Sequence, residues 1–442
     1  MGDNIKMMEN VSEKKALLAF GLPTVVGMLS TGIYNLIDGL YVARLSTEAM
    51  DAVSIMYPIV TLISGLGLLI GNGAAVYISE LLGKKKRQEA ETVLATALFT
   101  SLLLGIALQL FHPFLKNILS LIGATEEILP YALPYARVVF LGFIFQLLSV
   151  CMMNLVRAEG QVYLSTFSML IGAGVSIVAD PIAIFTLKGG IIGAACVNAL
   201  SQFVSFLVLA CFYLGKRSAL RISFRKISYR AEFVKPVLSV GIPVFCVNLF
   251  QCLSSGIANI LAKPFGVNGL AALAIANRML NLSVLGITGF ARGYQNLASY
   301  NFGAGRGGRL REITKLAIGW TTGICGCVAV CQMIFAGSIA GAFSTEQEVI
   351  ALGRKALFCG SILLVTYGFQ SVGSVYLLCI HRPKAGLVFS IARQGIFYIP
   401  LILLLSVVFG LNGIFYTQPL ADFCTTIALI LYLKHIQKEQ ES

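Results

Sequence analysis

The sequence is poor in charged residues. Only 12% of its 442 residues are Asp, Glu, Lys or Arg, whereas 57% are hydrophobic. A soluble domain carries about 25% charged residues, so this composition excludes a soluble globular protein. The net charge of +13 does not indicate nucleic-acid binding either, because the chain leaves no room for a soluble basic domain.

Catalytic motifs are missing as well. The three histidines, His112, His381 and His435, lie near the ends of apolar segments, and no H-E-x-x-H pattern occurs. The eleven cysteines are scattered through apolar segments, where a free cysteine acts as a small hydrophobic residue. We therefore expect neither an enzyme nor a metal centre nor another bound cofactor.

The N-terminus lacks the pattern of a cleaved signal peptide. The stretch "MGDNIKMMENVSEKKALLAFGLP" runs directly into a long apolar segment without a small-residue cleavage site. We expect this first apolar segment to be retained in the membrane.

Apolar segments fill the rest of the chain. A spanning helix needs about 20 apolar residues, and the pattern predicts an all-α polytopic membrane protein with twelve of them. The predicted spans cover residues 16–42, 52–81, 92–115, 131–156, 163–187, 191–214, 236–262, 271–300, 313–340, 352–379, 386–409 and 412–433.

The basic residues predict the orientation. When the loops are assigned alternately to the two sides, one side receives most of the lysines and arginines, including those of "KKKR" at 84–87 and of the segment 216–235. Cytoplasmic loops carry such an excess, so both termini are expected in the cytoplasm.

The two halves of the chain repeat each other. When position 21 is laid over position 241, the halves align without a gap through two spans and the following loop, and the matched pairs include Gly21 with Gly241, Pro23 with Pro243, Gly73 with Gly293, and Gly83 with Gly303. Six spans per half keep both halves in one orientation, so we expect two lobes related by a pseudo-twofold axis along the membrane normal. We place the N-lobe at residues 1–215, a basic linker at 216–235 and the C-lobe at 236–442.

Three acidic residues lie inside predicted spans: Asp38, Asp180 and Asp422. An Asp at the centre of a spanning helix costs about 2.5–3.5 kcal/mol on insertion scales. Asp38 and Asp180 both lie toward the outer ends of their spans, in the same half of the chain. They are candidates for binding H⁺, Na⁺ or a cationic substrate, and the alternative is a hydrogen bond between helices, which we favour only for Asp422.

Neutral polar residues occur near these two acids. Ser176 precedes Asp180 by one helical turn and shares its helix face, while Tyr34 and Asn35 lie close to Asp38 on the first span. Na⁺ is bound through oxygen ligands, which serine, asparagine and carboxylate groups supply. Asn154 at the end of span 4 and Asn198 in span 6 are further candidates, so the polar residues considered for a substrate or cation cavity are Tyr34, Asn35, Asn154, Ser176 and Asn198.

Two prolines lie close to the acids along the chain. Pro23 lies in the first span and Pro181 directly follows Asp180. Proline removes a helical hydrogen bond and kinks a helix, so the first span is expected to bend at Pro23. The alternative is that membrane helices simply tolerate these prolines.

Several of these segments resemble one known family over nearly the whole chain. They are "GLP" and "GIP" at the starts of the two halves, "YNLIDGLYVARL" in span 1, "NLVRAEG" after span 4, "ADPI" in span 5 and "IANRM" in span 8. Together they resemble the MATE multidrug and toxin extrusion transporters, in particular the bacterial branch with DinF-like and MepA-like proteins. The resemblance implies a cation site at Asp38 and Asp180, cavity positions at Asn154, Ser176 and Asn198, and a kinking proline at Pro23.

The resemblance implies a function too. It indicates a monomeric secondary antiporter of a bacterial plasma membrane that exports amphipathic cationic or zwitterionic drugs in exchange for H⁺ or Na⁺, and so contributes to antibiotic resistance. The alternative is a flippase for lipids or lipid-linked oligosaccharides with a similar two-lobe layout, which is expected to line its cavity with several arginines. A channel is a further alternative, which a kinked, acid-bearing helix disfavours.

Overall fold

The computed structural model describes residues 8–9, 11–215, 218–344 and 346–441. All regular secondary structure in these ranges is helical. This follows from the apolar composition, because a segment in lipid must satisfy its backbone N–H and C=O groups internally, and a helix does so within one segment.

Twelve helical segments of the described chain are long enough to span a membrane. In chain order they are α1 (Glu13–Ala43), α2 (Thr47–Gly83), α3 (Arg87–Ile122), α4 (Leu129–Ala158), α5 (Val162–Thr186), α6 (Gly190–Leu214), α7 (Ala231–Ala262), α8 (Gly266–Gly303), α9 (Gly307–Phe343), α10 (Gln347–Ser361 and Leu364–Cys379), α11 (Pro383–Phe409) and α12 (Leu411–Glu441).

The count of twelve is reached by dividing one long helical stretch into two spans and by joining two shorter helices into one span. The described chain has ten sufficiently long and apolar stretches, and the two pieces of α10, bent by 44°, make an eleventh. One of the ten runs for 73 residues, from Ala231 to Gly303, or about 110 Å at 1.5 Å per residue. It is interrupted by the turn Lys263–Phe265 and by a positive φ of 79° at Gly266, so it forms two spans, α7 and α8. The prediction of twelve spans is confirmed.

The helices form two lobes of six, as the repeat predicts. The main contacts between the lobes join α1 to α8 and α2 to α7, and the repeat interchanges these two pairs. Helix α7 begins at Ala231, so the last residues of the predicted linker are already helical. The lobe boundaries proposed from the sequence, 1–215, 216–235 and 236–442, stay a prediction.

Matched glycines lie where the two lobes approach most closely. A Cβ atom added to Gly83 would overlap the carbonyl oxygen of Tyr300, and one added to Gly303 would overlap that of Glu80. The internal repeat relates Gly83 to Gly303 and Glu80 to Tyr300. Only glycine permits two helix backbones to approach this closely, so these positions place the pseudo-twofold axis between α2 and α8.

The hydrophobic core has a different form on the two sides of the membrane. We call the side that carries both chain termini the terminal side and the other the far side. On the terminal side one cluster joins both lobes, from Phe20 and Ile78 to Tyr294 and Val372. On the far side each lobe has a cluster of its own. The lobes are therefore packed together on the terminal side and separated by a cleft on the far side.

Candidate functional site

Three polar side chains lie at one level near the far side of the N-lobe. Asp38 is five residues before the end of α1, and Asp180 is six residues before the end of α5. Tyr135 is six residues after the start of α4. At 1.5 Å per residue, each lies about 8–9 Å from the far end of its helix.

The helices that carry these groups also pack side by side. Helix α1 contacts α5, and α5 contacts α4. Asp180 is buried, with 2% of its surface exposed, whereas Asp38 is half-buried. The structure thus brings together the two carboxylates that the sequence singled out. It adds Tyr135, which the sequence analysis did not identify. The sequence does contain an indication of this residue, because a tyrosine occurs in predicted span 4 at the same depth as the two carboxylates.

The two carboxylates lack the hydrogen-bond and ion-pair partners that would indicate a role in helix packing. Among the described residues, neither Asp38 nor Asp180 forms an ion pair or accepts a hydrogen bond. A buried charge without a partner is costly, so these groups are suited to taking up a small cation.

Asp422 has the opposite environment. It is fully buried, and Arg393 Nε donates a hydrogen bond to its Oδ1 at 2.6 Å. Gln418 Nε2 donates to the same oxygen at 3.1 Å. Asp422 therefore links α12 to α11, as the structural alternative predicted, through an arginine that the sequence alone did not identify as its partner.

The remaining predicted site residues divide into two groups. Ser176, Asn198, Tyr34 and Asn35 lie about 12–15 Å from the far ends of their helices, a turn or two deeper than the carboxylates. Asn154 is 19 residues beyond Tyr135 on α4, about 28 Å along the helix, and its Nδ2 donates to the Val150 carbonyl at 2.7 Å. The structure does not bring Asn154 to the carboxylates.

The two prolines, Pro23 and Pro181, lie in different local backbone structures. Pro23 is buried inside α1, which is one uninterrupted helix from Glu13 to Ala43. Pro181 ends the regular part of α5, which continues as a π-helical turn, Ile182–Thr186. Single π turns are frequent at functional sites, and this one begins two residues after Asp180.

The chemistry available at the site is that of oxygen ligands. Among the described residues, no group of three or more His, Cys, Asp or Glu side chains is placed to hold a metal ion. Two carboxylates with nearby hydroxyl and amide groups bind H⁺ or an alkali cation, and they attract organic cations.

Comparison with known proteins gives a match to each half. The MatE family profile matches residues 23–182 and again residues 243–404. The two matches begin at Pro23 and Pro243, which are paired by the internal repeat. The multidrug export protein MepA of Staphylococcus aureus strain MSSA476 is 28% identical over 426 residues, which cover 95% of this chain and 93% of that protein.

Solved structures share the whole fold. A structure titled as the outward-facing conformation of a multidrug resistance MATE family transporter of the MOP superfamily aligns with a TM-score of 0.94 at 25% identity and covers 100% of both chains. A structure titled as MATE in the straight conformation gives the same TM-score, identity and coverage.

Proposed function

This chain belongs to the MatE family, a family of membrane transporters, and from that premise we propose that it is a multidrug antiporter. It exports amphipathic cationic or zwitterionic compounds in exchange for H⁺ or Na⁺. The similarity to a multidrug export protein over 95% of the chain supports the substrate class.

The observation that carries the antiport proposal is the unpaired carboxylate pair. Asp38 and Asp180 lie at one level on the packed helices α1 and α5 and have no ion-pair or hydrogen-bond partner among the described residues. Uptake of H⁺ or Na⁺ removes their repulsion, which favours binding of a coupling ion here. Ser176 and Asn198, slightly deeper in the lobe, complete the oxygen ligands if the ion is Na⁺.

Ion binding must be linked to a change of conformation. An ion drives transport only if it binds two states with different affinity. We place the change in α1, which carries Asp38 near one end and Pro23 near the other. Neutralising the carboxylates lets α1 bend at Pro23, which narrows the cavity around Tyr34, Asn35 and Asp38 and releases the substrate. Asn154, toward the terminal side, is not needed for this step, and its place in a substrate cavity stays a prediction.

The orientation follows from the basic loops. Both termini lie in the cytoplasm of a bacterial cell, the cleft opens to the outside, and the protein works as a monomer in the plasma membrane. In this orientation both carboxylates lie in the outer half of the membrane, on the side from which the coupling ion is taken up.

The proposal is tested by ethidium efflux from loaded cells, with a proton gradient or a Na⁺ gradient imposed separately. We expect one gradient to drive efflux in the wild type, and Asp38→Asn to reduce it to the level of cells without the transporter. Asp51→Asn is the matched control, since it removes the same charge from an exposed position near the far-side end of α2, and it should transport normally.

Each other outcome has a definite meaning. Normal efflux by Asp38→Asn at matched expression contradicts the coupling role of the carboxylates. Absence of efflux under either gradient, with folded wild-type protein in the membrane, contradicts drug export and favours a lipid substrate.

A further inference from the structure

The C-lobe contains a polar pocket that the coupling site does not use. The pocket has a volume of about 110 Å³ and lies between α7, α8, α10, α11 and α12. Its wall is rich in uncharged hydrogen-bonding side chains: Gln251, Ser255, Asn277, Asn281, Gln394 and Gln418.

The exposed polar residues of this pocket indicate an aqueous cleft and not a lipid-facing surface. Asn281 and Ser255 are exposed, and Asn281 lies 15 residues from the start of α8, about 22 Å along the helix. Exposed polar side chains in the middle of a spanning helix face a protein interior or an aqueous cavity. Gln251 Nε2 donates to Asn281 Oδ1 at 3.0 Å, which ties α7 to α8 at the mouth of the pocket.

Arg393 presents its positive end to the pocket. Its partner Asp422 is fully buried and lies outside the pocket lining, whereas Arg393 is part of that lining. The guanidinium also lies 4.3 Å from the ring centre of Tyr367, another lining residue. Asp422 engages Nε at 2.6 Å and Nη2 at 3.5 Å, so Nη1 is the guanidinium nitrogen that the carboxylate does not contact.

A local departure from the α-helix supports this position of Arg393. The residue lies in the π-helical turn Ala392–Ile396 of α11. Ser254 Oγ on α7 donates a hydrogen bond to the Gln394 carbonyl in this turn. Such turns are frequent at functional sites, and this one is held in place by the opposite wall of the pocket.

The internal repeat shows how the two lobes differ. It relates Asp38 to Ala258, which is buried in the C-lobe core. The N-lobe therefore carries two carboxylates near the far side, whereas the C-lobe carries amides and a guanidinium in its pocket. A zwitterionic molecule in the cleft has a preferred direction, with its cationic group toward the N-lobe.

We propose that this C-lobe pocket binds the carboxylate of zwitterionic substrates through Arg393 and the surrounding amides. Arginine recognises carboxylates through charge-assisted hydrogen bonds, and the amides of Asn277 and Gln394 supply further donors. The inference rests on the proposed function for its substrate class, and it adds a second recognition site to the cation site of the N-lobe.

The test measures binding to the purified full-length protein in detergent, which needs no transport. The probes are a zwitterionic fluoroquinolone and its ethyl ester, which keeps the ammonium group and lacks the carboxylate. We expect the wild type to bind the acid about tenfold more tightly than the ester, equivalent to about 1.4 kcal/mol.

The variant Arg393→Gln with Asp422→Asn removes the positive end of the ion pair without leaving an unpaired buried charge. It should bind acid and ester equally and keep wild-type affinity for the ester. Asn281→Ala, at the exposed mouth, should lose part of the preference. Arg137→Gln, which removes an exposed arginine of the N-lobe, is the matched control and should retain it.

The outcomes separate this inference from the proposed function. A wild type that exports ethidium but binds acid and ester equally overturns the pocket and leaves antiport standing. A wild type that prefers the acid but exports neither ethidium nor the fluoroquinolone overturns antiport and leaves the pocket standing. Equal loss of acid and ester binding in the double variant assigns Arg393 a purely structural role and overturns the proposal.

Discussion

Among single residues, the three membrane carboxylates differ in what they contact. Asp422 accepts hydrogen bonds from Arg393 and Gln418, so its charge is compensated. Asp38 and Asp180 have no ion-pair or hydrogen-bond partner among the described residues, so their charges are uncompensated. The same residue type therefore serves helix packing in the C-lobe, whereas in the N-lobe we propose that it takes up a cation.

Removing one partner of the buried ion pair should destabilise the protein strongly. We expect Arg393→Leu to cost about 3–5 kcal/mol, because it leaves the buried Asp422 charge without compensation. Thermal unfolding of the purified protein in detergent measures the effect as a lower Tm. Asp38→Asn, which removes repulsion, should keep the Tm of the wild type or raise it. Equal Tm values for Arg393→Leu and the wild type would contradict the role of the pair.

At the scale of helices, α1 combines Asp38, the carboxylate proposed for ion coupling, with a proline in one uninterrupted element. Pro23 has no N–H to offer the carbonyl of Ala19, four residues earlier, so α1 lacks one backbone hydrogen bond at this point. Phe20 and the neighbouring Gly21 pack against α8 of the other lobe, where a Cβ added to Gly293 would overlap the Phe20 carbonyl. A bend near Pro23 therefore moves the far part of α1 while its terminal part stays anchored.

We expect Pro23→Ala to reduce transport while substrate binding is retained, because the restored hydrogen bond stiffens α1. Ethidium efflux measures the first property, and ethidium fluorescence with the purified protein measures the second. Pro58→Ala, a change of the same kind inside α2, is the control and should leave efflux unchanged. Full efflux by Pro23→Ala would remove bending at this proline from the mechanism.

For the whole molecule, contacts between the lobes on the terminal side hold the conformation with the far-side cleft. Besides the glycine contacts, His381 Nε2 of the C-lobe lies 3.0 Å from Glu80 Oε1 of the N-lobe. Arg306 Nη2 lies 2.9 Å from Glu9 Oε1 near the N-terminus. Opening the terminal side must break these polar contacts together with the packing of the shared core.

Gly303→Leu should separate the lobes on the terminal side, because even a Cβ at this position would overlap the Glu80 carbonyl. The measurement is the distance between spin labels at Gln88 and Lys384, exposed positions in the two lobes, in a variant without native cysteines. We expect a longer distance to become the main population. Gly319→Leu is the control, since a Cβ there would have nothing within 4 Å. An unchanged distance in Gly303→Leu would show that α2 adapts locally.

The sequence by itself determined the properties that depend only on the order of residues along the chain. These are the twelve spans, the internal repeat, and the membrane positions of Asp38, Asp180 and Asp422. Burial of apolar segments and the cost of charges in lipid act on each segment separately, so they leave a pattern in the sequence.

Only the tertiary structure decided how the helices use these residues. The rotation of each helix about its axis placed Tyr135 beside the carboxylates, left Asn154 on the other side of the membrane, and paired Asp422 with Arg393. It also assembled the C-lobe pocket from five helices and kept the cleft open on the far side. These features depend on packing between helices distant in sequence, and nearly uniform hydrophobicity leaves the choice of contacting faces open.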